Sequence, residues 1–259
     1  MMPSELLALL TVVSVVVFAY MTVWYIIALI IKRNDVADIA WGLGFIVVAA
    51  TSFLASQNDN PTAYFTLLLV VIWGVRLSWH IAKRNVAKSE DYRYKKWRDD
   101  WGKWLYIRSY LQIFILQGFL MIVVSMPILV IMAYSSNQSS YLVALGVLIW
   151  TIGFIFESVG DWQLQKFISN PEHKGKIMTA GLWSYTRHPN YFGEITQWWG
   201  IGIIALSCSY GWIGLIGPLV ITLLIVRVSG IPLLEQKYTH NAEYQAYKKR
   251  IPMLVPFTK

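Results

Sequence analysis

Long apolar stretches separated by short polar connections dominate the chain. A membrane-spanning helix needs about 20 apolar residues, and seven stretches reach or approach that length. They cover residues 5–31, 39–56, 63–82, 109–134, 140–160, 191–208 and 210–229. The second and the sixth are short and contain glycine. The pattern predicts an all-α, polytopic integral membrane bundle of about seven transmembrane helices.

The composition agrees with a membrane protein. The chain has 259 residues, of which 56% are hydrophobic and only 14% are charged, whereas a soluble domain has about 25% charged residues. Its mean hydropathy is +0.50, so lipid is expected to cover much of its surface. The first apolar stretch has no basic segment before it and no small-residue cleavage site, so we expect it to be retained as a span.

The one cysteine, Cys208, lies in an apolar stretch. A single cysteine cannot form an internal disulfide, and the Cys and His residues do not have the spacing of a metal site. We therefore predict no metal cofactor, and we interpret Cys208 as a small packing residue.

Lysine and arginine residues alternate between the two sides of the predicted bundle. Of the 22 such residues, all except Arg76 and Arg227 lie in connections that would face one side. These connections are 32–38, 83–108, 161–193 and the tail after residue 229. The positive-inside rule then places the N-terminus outside and the C-terminus in the cytoplasm, in a bacterial inner membrane. A basic face beside anionic headgroups explains the net charge of +8 without a nucleic-acid partner.

The longest basic connection has a distinctive pattern. From Ala87 to Trp104, charged residues alternate with tryptophan and tyrosine. This pattern is typical of an amphipathic segment that lies on the membrane surface. A cover over a bound cofactor is the alternative interpretation.

Ionisable residues concentrate at the cytoplasmic ends of the predicted spans. A charge inside a membrane is costly, so each one is expected to have a partner or a function. The residues concerned are Asp35, Asp38, Arg76, His80, Arg84, Glu157, Asp161, Glu194 and Arg227. Because they belong to different spans but to one predicted membrane depth, we expect many of them to line one cavity that opens to the cytoplasm.

The densest polar segment is residues 181–194, with the sequence GLWSYTRHPNYFGE. Pro189 prevents a helix before it and is a good first residue of the next helix. A helix that begins there would present free N–H groups and a positive dipole end to an anion such as a phosphate, assisted by Arg187. His188 adds a group that titrates near neutral pH. The sequence has no GxGxxG or GxxxxGK[ST] motif, so a nucleotide would not be bound as in soluble Rossmann or P-loop proteins.

This segment resembles the C-terminal signature of the steroid 5α-reductase-like membrane proteins, in particular their bacterial DUF1295 branch. Three further pieces of the chain match in the same order, and the resemblance extends over most of the chain from about residue 35. They are Asp38–Gly42, Glu90–Tyr94 and the tail Glu243–Phe257.

The resemblance implies a seven-helix bundle that binds NADPH from the cytosol and transfers a hydride to the β-carbon of a conjugated, lipid-like substrate. Residues 1–134 would form the substrate side and residues 135–259 the cofactor-binding half. The implied cofactor contacts, together with His188, are Asp161, Lys176, Tyr185, Arg187, Asn190, Glu194, Arg227, Tyr244 and Tyr247.

The substrate half departs from the family pattern. Steroid reductases have a Gln-Glu pair in the second helix and a tyrosine in the third, which polarise the ketone. This chain lacks that pair, so Asp38 or His80 is expected to donate the hydrogen bond to the substrate oxygen. Neighbouring residues expected to contact the substrate are Asp35, Trp41, Arg76 and Trp79.

Two other functions remain open from the sequence. Isoprenylcysteine carboxyl methyltransferases share the helix–RHPxY–helix arrangement and the tyrosine-rich tail, and they bind S-adenosylmethionine in the same region. The continuation Asn190–Glu194 and the strongly basic cytoplasmic connections favour NADPH, which carries more negative charge. A transporter is the second alternative, but the inverted repeats that would support it are absent from the sequence.

Overall fold

The structure, a computed structural model, describes residues 4–86, 89–135 and 140–258. Within those ranges every regular element is a helix and none is a strand. The all-α prediction is therefore confirmed.

Six helical segments of the described chain are long and apolar enough to cross a membrane. They are Ser4–Ile31, Val36–Ser56, Pro61–Asn85, Tyr92–Val124, Ser140–Ile168 and Gly211–Gln236. The predicted span 191–208 corresponds to the helix Pro189–Ala205, which has 17 residues and is shorter than the roughly 20 that a span needs. A polytopic helical bundle is therefore confirmed, while the seventh span and the direction of insertion stay predictions.

The chain divides into two compact units. Unit 1 contains Met1–Gln138 and Ala205–Ile216, and unit 2 contains Ser139–Ile204 and Gly217–Lys259. The assignment of substrate to residues 1–134 and of cofactor to residues 135–259 stays a prediction.

The described residues of unit 1 form seven α-helices. They are α1 Ser4–Ile31, α2 Val36–Ser56, α3 Pro61–Val86, α4 Tyr92–Trp101, α5 Leu105–Arg108, α6 Leu116–Val124 and α7 Met126–Tyr134. Helices α2 and α3 approach closely, because a β-carbon on Gly74 would lie 2.6 Å from the carbonyl oxygen of Gly42. Small residues allow such close contact between membrane helices.

The predicted span 109–134 is interrupted. Its helix breaks at Ser125, directly before α7, which has a proline in its first turn. Every residue from Met126 to Met132 is buried. A helix that is apolar on all sides is equally compatible with lipid and with a protein interior, so the sequence did not distinguish α7 from a lipid-facing segment.

The basic connection contains a helix, and its position on the membrane surface or over a cofactor stays a prediction. Asp91 caps the N-terminus of α4 by accepting a hydrogen bond from the Arg93 N–H at 3.0 Å. Tyr94 is buried, whereas Tyr92 and Trp97 are exposed. The helical run then continues to Val124. Residues 87 and 88 of the predicted amphipathic segment lie outside the described residues.

Unit 2 is built on two long helices followed by a tail of short ones. Its helices are α8 Ser140–Ile168, α9 Pro189–Ala205, α10 Ile216–Leu223, α11 Ile231–Gln236 and α12 Ala242–Arg250. The ends of α9 and α10 at Ala205 and Ile216 belong to unit 1.

Glycines bring α8 and α9 into backbone contact. A β-carbon on Gly153 would lie 2.6 Å from the carbonyl oxygen of Gly193, and one on Gly200 would lie 2.7 Å from that of Gly146. Next to these glycines, the buried Gln197 side chain donates a short hydrogen bond to Glu157 Oε2. Close backbones and a polar pair are two recognised ways to join helices inside a membrane.

Candidate functional site

The segment 181–194 lies against α8 in unit 2. Helix α9 begins at Pro189, where the sequence predicted a helix start. Asn190 follows directly, and its Nδ2 donates to Asp161 Oδ1 at 3.1 Å. Asn190 Oδ1 is buried and has no hydrogen-bond partner among the described residues. Two of the expected cofactor contacts, Asp161 and Asn190, are therefore hydrogen-bonded to each other, and the Asn190 Oδ1 acceptor remains without a donor.

Backbone and side-chain contacts fix the loop that leads to α9. Trp183 Nε1 donates to the Gly160 carbonyl at 3.1 Å, and the Leu182 N–H donates to Gln163 Oε1 at 2.9 Å. At Gly181, whose φ of 63° is in the left-handed region, a β-carbon would meet the Gln163 side chain. Glycine is therefore required there for both conformation and space.

Three basic side chains converge on one carboxylate, Glu235. Arg187 Nη2 lies 2.9 Å from Glu235 Oε1, His188 Nε2 lies 3.2 Å from the same oxygen, and Lys248 Nζ lies 2.7 Å from Oε2. Only 12% of the Glu235 side chain is exposed. We call these four residues the Glu235 clasp, since they fasten the segment before α9 to α11 and α12.

The role of Arg187 differs from the expectation. Its Nη1 donates to the carbonyl oxygens of Lys248 at 3.0 Å and Ile251 at 2.8 Å, and its own N–H donates to the Pro252 carbonyl. The side chain is 6% exposed. The guanidinium therefore holds the C-terminal tail, and this geometry does not support the expected role as a phosphate partner.

His188 is buried at 4% exposure. Burial is the largest influence and lowers the pKa of His188, and Arg187 and Lys248 act in the same direction, while Glu235 opposes them. At neutral pH the ring is therefore uncharged and donates from Nε2 to Glu235. The expectation of a group titrating near neutrality is corrected to a lower pH.

This burial predicts a pH dependence of stability. Because the unfolded chain binds the His188 proton at a pKa of about 6.5 and the folded chain binds it only at lower pH, the free energy of unfolding should decrease as the pH falls below about 6.5. Measuring the unfolding temperature from pH 5 to pH 8 would test this. His188→Gln, which keeps a donor for Glu235, should flatten the profile, and an unfolding temperature that rises on acidification would contradict the assignment.

The tail tyrosines face the loop. Tyr247 donates its hydroxyl proton to the Trp183 carbonyl, and burial raises the pKa of Tyr247, so the phenol stays protonated. Tyr244 is also buried and packs in a stacked arrangement on Tyr238 at 4.8 Å. Tyr185 is 47% exposed and lies against Phe257 at 4.7 Å. These tyrosines join loop and tail, and their contact with a cofactor stays a prediction.

Two basic residues among the expected cofactor contacts are exposed. Lys176 lies in the loop between α8 and α9, and Arg227 lies in the π-helical turn Leu224–Val228 after α10. Among the described residues neither side chain makes a hydrogen bond or an ion pair. Glu194, one turn after Asn190, is half-buried.

A second polar cluster surrounds Asp38 in unit 1. Tyr94 donates its hydroxyl proton to Asp38 Oδ1 at 2.6 Å, and Arg93 Nη2 lies 3.1 Å from Asp38 Oδ2. Arg93 Nε also lies 3.0 Å from Asp91 Oδ1. The matching pieces Asp38–Gly42 and Glu90–Tyr94, which are far apart in sequence, therefore contact each other.

Asp35 belongs to an ion-pair network that continues from this cluster. Arg33 donates to both oxygens of Asp35, at 3.0 and 2.7 Å, and the Asp91 N–H donates to Asp35 at 3.2 Å. Glu90 accepts from Arg98 at 2.9 Å and from the Asn34 N–H at 2.7 Å. The Asp35 side chain is 2% exposed. Its contacts hold the turn between α1 and α2 in place, and its expected contact with the substrate stays a prediction.

The other expected substrate contacts are spread over α2 and α3. Trp41 packs edge-on against Phe45 at 4.9 Å, Trp79 is 71% exposed, and Arg76 and His80 are half-buried. Within the described ranges, no cluster of His, Cys, Asp or Glu residues is arranged to hold a metal ion.

Several residues of these clusters escaped the sequence reasoning. Glu235 lies in the tail with no pattern that marks it. Lys248 lies in the matching piece Glu243–Phe257 but had no role assigned to it, and Gln117 and Gln197 occur in apolar helices. Tyr94 was part of a matching piece, but its partner could not be predicted from the sequence. For Gln117 and Gln197, the one available signal was a polar side chain inside an apolar helix.

Residues 24–251 match the family model described as "Protein of unknown function (DUF1295)". The chain is 25% identical over 113 residues to 3-oxo-5-alpha-steroid 4-dehydrogenase 1 of Rattus norvegicus, which covers 43% of the chain and 40% of that protein. It is 35% identical over 68 residues to the probable O-methyltransferase ustE of Ustilaginoidea virens, which covers 26% of the chain and 24% of that protein. The matched regions therefore span less than half of each relative. No solved structure matches the chain.

Proposed function

Because this chain belongs to the DUF1295 family, and because part of it is similar to a steroid dehydrogenase, we propose that it is a membrane-embedded NADPH-dependent reductase. The reaction would transfer a hydride to an activated C=C bond of a lipid-like substrate, such as a steroid, an isoprenoid or a fatty acyl compound. From its basic connections we further propose a bacterial cytoplasmic membrane, with the cofactor site toward the cytoplasm.

The pair Asp161–Asn190 carries the cofactor part of this proposal. A dinucleotide presents ribose hydroxyl and carboxamide donors, and these need acceptors. The unpartnered Asn190 Oδ1 and the carboxylate of Asp161, 3.1 Å from Asn190 Nδ2, supply acceptors at one point in unit 2. A buried acceptor without a partner is uncommon in folded proteins, so a donor from a ligand is a physical explanation for it.

Exposed basic side chains are proposed to bind the negatively charged phosphates of NADPH. Lys176 and Arg227 keep their charged groups in solvent, where a phosphate can displace water at little desolvation cost. Arg187 has its donors engaged by the tail and instead positions the loop. The residues present therefore fit NADPH in both donor and acceptor chemistry.

NADPH would supply the hydride, and the chain must hold the substrate oxygen that gains negative charge. Stabilising that charge with a fixed hydrogen-bond donor is usually a large contribution to such catalysis. The expected donors were Asp38 and His80, both in unit 1. Helix α2 presents Asp38 within a polar cluster, which favours it over His80 as part of the oxygen-binding group.

Thermal unfolding in mild detergent with NADPH, NADP⁺ or S-adenosylmethionine tests the proposed function. A ligand that binds only the folded state stabilises it by about 2.7 kcal/mol at a hundredfold excess over its dissociation constant. We expect a rise in unfolding temperature with NADPH and NADP⁺. The absence of a rise with either would contradict the proposal.

Asn190→Ala should weaken NADPH binding at least about tenfold, since the variant removes an acceptor and leaves a donor-rich ligand unpaired. The measurement is the NADPH dissociation constant from the same unfolding experiment. Asn241→Ala is the matched control, because Asn241 caps α12 through the Tyr244 N–H at 2.9 Å. The control should lower the unfolding temperature but leave the dissociation constant unchanged, and equal binding losses in both variants would refute the role of Asn190.

The second candidate function is an S-adenosylmethionine-dependent methyltransferase. The similarity to a probable O-methyltransferase is the observation that favours it. A single positive charge on the sulfonium and the absence of phosphates make S-adenosylmethionine a poorer match to exposed Lys176 and Arg227. A rise in unfolding temperature with S-adenosylmethionine alone would establish this candidate in place of the reductase.

A further inference from the structure

A cavity of about 340 Å³ lies where the chain leaves the C-terminal end of α8. Its lining includes Phe167 and Ile168 of the helix and His173, Lys174 and Lys176 of the loop that follows. A β-carbon on Gly175, which also lines the cavity, would meet no atom within 4 Å, so the cavity is open there. All of these residues belong to unit 2. The cavity therefore combines an apolar wall with basic side chains.

Stacking and hydrogen bonds hold the loop in shape around this cavity. The His173 ring stacks on Phe167 with their centroids 4.2 Å apart, and His173 Nδ1 lies 3.2 Å from the Phe167 carbonyl oxygen. The Asn170 side chain accepts from the Glu172 N–H at 3.0 Å. The Lys176 N–H donates to the His173 carbonyl at 3.0 Å. A ligand would therefore meet a preformed site, and little ordering of the backbone would oppose its binding.

Positive charge dominates this part of the chain. From residue 162 to residue 180 there are three lysines, Lys166, Lys174 and Lys176, and one acidic residue, Glu172. The cavity lining does not include Glu172. Among the described residues, the exposed side chains of Lys174 and Lys176 make no hydrogen bond or ion pair. The cavity thus presents positive charge without a partner, and an anion is the class of ligand that it favours.

An exposed apolar face of α8 leads to the cavity. Ile152, Ile155 and Trp162 are all exposed, and their spacings of three and seven residues place them on one side of the helix. Lys166 continues this side four residues after Trp162, and its Nζ lies 5.3 Å from the centre of the Trp162 ring. Ile168, which lines the cavity, is also exposed. The face is therefore apolar along its length and basic at its C-terminal end.

The length of α8 places the cavity at the level of the lipid headgroups. The helix has 29 residues, and at a rise of about 1.5 Å per residue it is about 43 Å long. The hydrocarbon core of a bilayer is about 30 Å thick, so the last turn of a spanning α8 extends beyond the acyl chains. Trp162 then lies near the interface, where tryptophan is common, and lysine stems can follow the apolar surface while their charges reach the phosphates.

We propose that this cavity binds the phosphate of one anionic glycerophospholipid, whose acyl chains lie along the exposed face of α8. Lys166 and Lys174 pair with the phosphate, and Trp162 and Ile168 contact the first methylene groups of the chains. A nucleotide phosphate would pair with the lysines but would leave the apolar side chains uncovered, whereas a phospholipid matches both. This lipid site does not depend on the proposed reductase function.

Native mass spectrometry of the full chain in mild detergent tests the proposal. The probes are dioleoylphosphatidylglycerol, which is anionic, and dioleoylphosphatidylcholine, which has the same acyl chains and no net charge. We expect one phosphatidylglycerol to stay bound under conditions in which phosphatidylcholine dissociates, and a titration gives its dissociation constant. Equal retention of the two lipids would overturn the proposal.

Lys166→Gln/Lys174→Gln should weaken phosphatidylglycerol binding at least about tenfold, because each lysine near an anionic headgroup contributes electrostatic attraction. Lys95→Gln/Lys96→Gln is the matched control, since both lysines are exposed on α4 in unit 1 and the variant removes the same charge. Lys166→Arg/Lys174→Arg should retain the binding, which separates loss of charge from loss of structure. Equal weakening in the cavity variant and in the control would assign the effect to general surface charge and refute the site.

Competition identifies the source of the phosphate. Neither sn-glycerol 3-phosphate, which has no acyl chains, nor NADPH should displace the bound phosphatidylglycerol. Displacement by glycerol 3-phosphate would mean that the cavity recognises a free phosphate, and displacement by NADPH would assign the cavity to the cofactor, so either result overturns the lipid site. Lys176 is unchanged in the variants because it is one of the expected cofactor contacts. If phosphatidylglycerol binds and NADPH does not, the reductase proposal falls and the lipid site stands.

Discussion

Glu235→Ala should destabilise unit 2 by about 3–5 kcal/mol, the usual cost of removing one partner from a buried charge cluster. Arg187 and His188 lose the oxygen that both contact, at 2.9 and 3.2 Å. Arg187 is 6% exposed, so its charge would remain buried with only carbonyl oxygens as partners. The cost is therefore mainly that of an uncompensated charge and much less that of one lost contact.

The unfolding temperature in detergent measures this effect. Glu243→Ala is the matched control, since Glu243 is exposed in the first turn of α12 and is a carboxylate of the same tail. We expect the control to change stability by less than about 0.5 kcal/mol. A similar loss of stability in Glu235→Ala and Glu243→Ala would mean that the Glu235 clasp stabilises the protein no more than an exposed carboxylate of the tail does.

Glu235→Gln tests whether charge or shape holds the clasp. The amide keeps an acceptor for Arg187 and His188 but loses the negative charge that also pairs with Lys248 at 2.7 Å. We expect a smaller loss than in Glu235→Ala and limited proteolysis that begins in the tail after Gln236. Protease resistance equal to that of the natural sequence would show that the ion pairs do not hold the tail.

Gly193→Val should prevent stable packing of α8 against α9. Even a β-carbon on Gly193 would lie 2.5 Å from the Gly153 carbonyl oxygen, and that atom belongs to a helix backbone, which cannot move aside alone. Overpacking that displaces only side chains costs about 1–3 kcal/mol, so we expect a loss at or above the upper end of that range. Separation of the helices would also break the hydrogen bond between Gln197 and Glu157.

Thermal unfolding and NADPH binding should both report this change. Gly118→Ala is the control, because a β-carbon there would meet the flexible Met21 side chain at 3.1 Å, and that side chain can adjust. The control should unfold within a few degrees of the natural sequence. If Gly193→Val purifies with an unchanged unfolding temperature, the close backbone contact between α8 and α9 does not exist in the membrane protein.

The substitutions at Glu235, Gly193 and Asn190 should give different experimental signatures. Loss of the clasp or of helix contact lowers stability before any ligand is added. Replacement of Asn190 should mainly reduce the rise in unfolding temperature that NADPH causes. Comparing unfolding with and without ligand therefore distinguishes residues that build unit 2 from residues proposed to bind NADPH.

The sequence alone determined the helical membrane architecture. Apolar content is a property of each segment by itself, and about 20 such residues require a helix in a bilayer because every backbone group must be paired within the segment. The same local reasoning placed a helix start at Pro189, where α9 begins. It also marked 181–194 as the segment richest in chemistry, and the resemblance to the reductase family rested on its residues.

Local patterns were insufficient where an apolar helix had two possible environments. The residues Met126–Met132 of α7 are all buried in unit 1, yet nothing in their composition distinguishes a protein interior from lipid. The predicted span 191–208 likewise became a helix of 17 residues.

Only the tertiary structure decided which polar groups meet. Tyr94 reaches Asp38 across 56 positions of sequence, and Glu235 receives Arg187 across 48. Arg187 was expected to hold a phosphate and instead contacts the tail. Its partners come from tail helices whose position beside it cannot be inferred from local sequence patterns. A residue's hydropathy depends on that residue alone, whereas its hydrogen bonds depend on the packing of distant helices, and this is why the architecture could be predicted from the sequence and the polar pairings could not.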